Sequence, residues 1–93
     1  MSAISGQKAV TTAGTEEALG DQQINGPLMV KALNANTGLI FIGNAGGGVV
    51  ASGSGMELDA GEVAIFDWVG NLASLMVDSA VDGEGVAWLC LNV

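Results

Sequence analysis

From Gly38 to Asp67 the chain passes through two short apolar runs, Leu-Ile-Phe-Ile at 39–42 and Val-Ala-Ile-Phe at 63–66, each closed off by glycine or acidic residues. Apolar runs of this length between turn-forming residues are the mark of buried strands. Between them, residues 44–55 carry no charge and are rich in glycine. Glycine loses the most backbone freedom on ordering, so this stretch predicts a loop with little protection of its own, offering only Val49 and Val50 for burial.

The remaining pattern also has period two. Residues 28–34 alternate if Leu28, Val30 and Ala32 face inward and Lys31 reaches water, which predicts a strand. Asn-Ala-Asn-Thr-Gly at 34–38 supplies turn chemistry and predicts a hairpin into the strand at 39–43. Residues 56–62 put Met56 and Leu58 on one side and Glu57 and Asp59 on the other, with Leu58 in the core and a turn at Ala60-Gly61. Residues 7–13 predict an edge strand, 72–79 and 86–93 the last two strands, and 16–20 either the start of a short helix after Thr15 or, the reading preferred, a short second strand. Asn25-Gly26-Pro27, 67–71 and 82–85 are turns, since the residue before a proline avoids helical dihedrals and glycine with acids marks chain reversal. The sum is an all-β chain of about eight short strands without a helix, a small β-sandwich or jelly-roll-like barrel. Residues 7–93 form its single domain, with the glycine-rich loop at 44–55, and residues 1–6 are an N-terminal arm ordered only by a neighbour.

Three strands break the alternation expected of a sandwich that stands alone in water. Residues 39–42, 63–66 and 86–91 are apolar on both faces. One face fills the interior and the other calls for a partner, because contiguous apolar patches above a few hundred Å² are rare on monomers. The chain is therefore expected to form a homo-oligomer, with Phe41, Phe66, Trp68 and Trp88 as candidate interface residues.

Composition narrows the partners. Half of the 93 residues are hydrophobic (49%), but no apolar run approaches the roughly 18 residues of a transmembrane helix. Ten acids face only Lys8 and Lys31, a formal charge of -8 with no arginine, so binding to nucleic acid is not expected. The amino terminus shows no basic region leading into a long apolar stretch, so synthesis in the cytoplasm of the producing cell is the expectation. Cys90 is the single cysteine, and its apolar flanks read as a buried packing residue.

Candidate chemistry is sparse. Without histidine there is no serine or cysteine triad, no histidine metal site and no ordinary neutral-pH base. The glycine-rich loop lacks the Lys-Ser/Thr ending of a phosphate-binding loop. Glu57 with Glu62, or Asp78 with Asp82 and Glu84, are the acid groupings a glycosidase or calcium site would need, but their spacing follows no established loop. The expectation is a protein with no catalytic residues, no cofactor and no metal, the turn at Asp78, Asp82 and Glu84 being the one calcium candidate.

The order of segments carries a resemblance. Val10-Thr-Thr-Ala-Gly-Thr15, then Val30-Lys-Ala-Leu-Asn-Ala-Asn-Thr-Gly-Leu-Ile-Phe-Ile-Gly43, then Gly55-Met-Glu-Leu-Asp-Ala-Gly-Glu62, and Leu75-Met-Val-Asp-Ser-Ala-Val-Asp-Gly-Glu-Gly-Val-Ala-Trp-Leu89 resemble small all-β virion proteins of tailed bacteriophages. The resemblance implies a jelly-roll-like domain on the outer surface of the virion capsid. Such a domain decorates or cements the head, often as a trimer clasping major capsid subunits. Relatives of this kind also sit at the bases of head fibres or on tails, and the alternative expectation is a receptor- or glycan-binding module of a head fibre or tail. For that alternative Trp68 and Trp88 are the aromatic faces on which a sugar would stack.

Overall fold

The computed structural model describes residues 2–45, 50 and 55–93. Eight strands follow one another: β1 (Ile4–Ala9), β2 (Glu17–Ala18), β3 (Leu28–Ala32), β4 (Ile40–Asn44), β5 (Met56–Leu58), β6 (Val63–Phe66), β7 (Leu75–Ser79) and β8 (Gly85–Cys90). They form two antiparallel sheets of four, ordered β1-β8-β3-β6 and β2-β7-β4-β5. Only β4 and β5 are consecutive strands paired within one sheet, so every other connection crosses from one sheet to the other. Two four-stranded sheets wound in this order are an eight-stranded jelly roll, and the expected all-β sandwich is what the chain adopts.

The alternation of residues 28–32 explains the core. Leu28, Val30 and Ala32 are fully buried and pair across β8 with Cys90, Trp88 and Val86, so one row of side chains from each strand points at the opposing sheet. That sheet returns Ile40, Ile42, Leu58 and Val77, and the connections add Val10, Leu19, Ile24 and Leu72. Full burial of a side chain the size of Leu28 stabilises the fold by about 1.5–3 kcal/mol relative to exposure. Trp88 also faces inward and lies over the backbone of Gly6, its register partner in β1; a Cβ on Gly6 would stand 2.9 Å from the indole. A glycine at this point lets the indole seal the end of the core against the edge strand.

The open side of the sandwich is closed by charge. Lys8 on edge strand β1 meets Glu17 on edge strand β2 at 2.9 Å, and the other oxygen of Glu17 accepts the Thr11 N–H at 2.8 Å. One half-exposed ion pair contributes little by itself, but here it is joined to a backbone hydrogen bond that holds the first sheet-to-sheet crossing.

Several expectations need correction. The hairpin expected at 34–38 does not exist: β3 pairs with β6 and β8, β4 with β5 and β7, and the Asn34–Gly38 turn carries the chain between sheets. Half of the expected arm is strand, since β1 begins at Ile4 and pairs Ile4 with Cys90. The strand expected over 7–13 ends at Ala9, where Val10 turns into the core. Residues 72–79 open with a 3-10 turn over Leu72–Ser74, capped by the Asn71 side chain accepting from the Ala73 N–H, before β7 starts. The last strand runs Gly85–Cys90. Of the glycine-rich loop expected at 44–55, Asn44 belongs to β4, Val50 is buried, and residues 46–49 and 51–54 lie outside the described residues.

Candidate functional site

The acids are the first candidates, and the fold distributes them one by one. Among the described residues, seven of the ten accept a backbone N–H: Glu16 from Val50, Glu17 from Thr11, Asp59 from Ala60, Glu62 from Asp59, Asp78 from Gly14 and Ser79, Asp82 from Ala13, and Glu84 from Thr37 and Gly38. A carboxylate is a strong acceptor for backbone donors, and in a chain without arginine these acids fasten the crossing loops. The calcium candidate is split by this role. Asp78 and Asp82 hold the 13–14 turn, at 3.0 and 2.7 Å, whereas Glu84 holds the 37–38 turn with both oxygens at 2.8 and 3.0 Å. Among the described residues there is no group of three His, Cys, Asp or Glu placed to hold a metal ion. The N–H groups of Gly38 and Thr37 draw the Glu84 carboxyl below its ordinary range, and the Thr11 N–H, followed by Lys8, does the same for Glu17. Glu57 is exposed on β5 while Glu62 caps Asp59 at 2.6 Å, so the other proposed acid pair has separate tasks.

The outer faces of the two sheets differ. On the β2-β7-β4-β5 sheet, Phe41 points away from the core between Glu57 and Asp78 yet is only 3% exposed. Val50 lies against Gly43 on that face, so close that a Cβ on Gly43 would come within 2.7 Å of it. The Val50 N–H is held by Glu16 at 3.0 Å. Around Phe41 and Gly43 this face is therefore closed to solvent. A cleft of about 480 Å³ remains beside it, lined by Ala13, Gly14, Leu39, Phe41, Asp78, Ser79 and Ala80.

The outer face of the β1-β8-β3-β6 sheet is bare. Register sets Ser5, Leu89, Met29 and Ile65 in one row and Gln7, Ala87, Lys31 and Val63 in the next. Met29 is 41% exposed, Val63 46%, Ile65 65% and Leu89 39%, with Leu91 at 60% beyond the end of β8. Two shallow depressions of about 190 and 170 Å³ dimple this surface, both walled by Met29 and Leu89. No acid occupies an outward position on the four strands. A sandwich that stands alone in water carries polar residues at such positions, and contiguous apolar surface is uncommon on monomers.

The four aromatic candidates are not brought together. Phe41 is buried on one sheet; Phe66 and Trp88 face the core of the other and are half-buried. Trp68 alone is well exposed, at 66%, resting beside Gly70 in the turn after β6. What sequence reasoning missed is Met29; the signal was an apolar residue at the outward phase of the alternating strand 28–32, where a lone sandwich would carry a polar one. Compared with models of protein families and with curated proteins, the chain matches none.

Proposed function

We propose that the protein is a non-enzymatic structural protein of a bacteriophage virion, a capsid decoration or cement protein that self-associates and stabilises the head by binding major capsid subunits. The observation that carries this reading is the apolar outer face of the β1-β8-β3-β6 sheet, which a protein working alone in water would keep polar. The jelly-roll order and the resemblance of segments to small phage virion proteins support the same reading. In this function the sheet face joins copies of the chain, and the loops contact the shell. A ligand that binds the assembled shell and not its separated subunits stabilises the shell by mass action. Particles lacking the protein are expected to assemble and package DNA but to lose it at lower temperature or in chelator, and adding the purified protein restores resistance. Equal resistance of deletion and wild-type particles overturns the reading.

A second reading, a receptor- or glycan-binding module of a head fibre or tail, is favoured by Trp68. Its exposed indole is the kind of surface on which the apolar face of a sugar ring packs. A glycan array read with the wild type and with Trp68→Ala separates the two, the cement reading giving no Trp68-dependent signal.

A further inference from the structure

Resting on the self-association just proposed, we infer that two copies pair face to face about a two-fold axis through the Met29–Ile65 row, with Lys31 of each copy against Asp67 of the other. Charge is what selects a second copy as the occupant. Each chain carries -8, so copies repel except where acids are few, and the outward positions on the four strands carry none, Asp67 at the end of β6 being the acid that borders them. Of the two lysines, Lys8 is committed to Glu17 at 2.9 Å, the one ion pair among the described residues, which leaves Lys31 at one end of the apolar stripe. Asp67 is exposed and directly follows Phe66, at the other end of edge strand β6.

The spacing fits a two-fold. Lys31 pairs in register with Val63, and Asp67 lies four residues further along, about 13 Å at a strand's rise per residue. The two charges are therefore too far apart to meet within one chain. The point midway between them falls at Met29 and Ile65, which are register partners and the most central exposed apolar pair. A rotation of 180° about that point exchanges the cation and the anion, giving two ion pairs around an apolar centre. A closed ring of three needs two different complementary patches on each copy, whereas one self-complementary face makes an isologous pair.

Sedimentation of folded variants tests this. The wild type is a dimer, and Ile65→Asp is a folded monomer. Lys31→Glu and Asp67→Lys each raise the dimer dissociation constant about tenfold, because each turns two attractive contacts into repulsive ones. The double variant, whose net charge is again -8, returns to within about threefold of wild type. Asp67→Lys is the decisive single change: it lowers the net charge from -8 to -6, so if general repulsion governed association it would tighten the dimer. Tightening by Asp67→Lys, a wild-type trimer, or failure of the double variant to recover overturns the two-fold pairing while leaving self-association standing. A wild type that stays monomeric at high concentration, its apolar face taken up by another protein, overturns both.

Discussion

Replacing Gly85 by alanine probes the described glycine whose added Cβ would run most directly into main-chain atoms. Gly85 opens β8 opposite Ala9 of β1, and a Cβ there would fall inside the van der Waals envelope of the Lys8 carbonyl oxygen and 2.8 Å from the Ala9 Cα. These are main-chain atoms and cannot swing aside. Nor can Gly85 retreat, because its carbonyl accepts from the Asn36 Nδ2 at 2.8 Å and from the Leu33 N–H at 3.2 Å. The end of β1 must therefore move outward. That strains the ladder at Lys8 and Ala9 and the bonds that tie Val10 to Glu84 and Gly83, at 2.9 and 2.7 Å. Overpacking costs about 1–3 kcal/mol, and two weakened hydrogen bonds add about 1 kcal/mol each, so the loss is about 3–5 kcal/mol. For a chain of this length total stability is about 5–14 kcal/mol, and the melting temperature is expected to fall by at least about 12 °C. The assay is thermal unfolding followed by circular dichroism at fixed protein concentration, with Gly83→Ala as comparison. Gly83 has φ +80° and open space around it, so alanine there costs only the left-handed backbone, about 1–2 kcal/mol. If Gly85→Ala melts no lower than Gly83→Ala, the contact between β1 and β8 is not rigid and the reasoning fails.

Two further outcomes follow from the side chains already described. Glu17 and Glu84 hold their carboxyls below the ordinary value near 4.5, so their contribution is fully present above that value and is lost as pH falls through the folded-state pKa. The stability gap between wild type and Glu84→Gln, measured by urea unfolding from pH 7 to 3, is expected to close as pH falls; a gap constant with pH refutes the role given to the carboxylate. Cys90 is fully buried between Gly26 and Asn92, so an aromatic disulfide reagent is expected to label it at the rate of unfolding and not in native buffer. Rapid native labelling would place the thiol at the surface.

Which parts of this molecule could be read from its residues is a matter of range. Leu28, Val30 and Ala32 were legible because period two is written locally and each position either faces the core or does not. Leu58 was legible for the same reason, between Glu57 and Asp59. The turn at 34–38 was legible as a turn and misread as a hairpin, because Asn and Gly dictate the reversal and say nothing about which sheet receives the next strand. The two-faced strands split. Residues 63–66 and 86–91 do expose one apolar set each, Val63 with Ile65 and Leu89 with Leu91. Residues 39–42 do not, because Phe41 is only 3% exposed and Val50, beyond the end of β4, packs back against Gly43 beside it. Large aromatics drew attention as interface candidates, yet Phe66 and Trp88 sit in the inward phase, and the exposed stripe is made of methionine and aliphatic residues. The acids looked like surface charge or a metal site; that Glu16, Asp78, Asp82 and Glu84 tie backbone donors on remote loops depends on crossings that no local pattern encodes.

The position of β8 in the sheet also governs how the protein can be made. It is the last of the eight strands to leave the ribosome, yet its place is between the first and the third. Until Gly85–Cys90 emerges, β1 and β3 are held apart by a gap one strand wide, each with an unpaired edge, and half of the core has no floor. Pairings this distant in sequence close slowly, and open edges recruit strands from whatever is near. A product cut short before Gly85 is then a sheet with a vacant slot, and in a cell crowded with copies of the same chain the β8 of a neighbour is the segment best shaped to fill it.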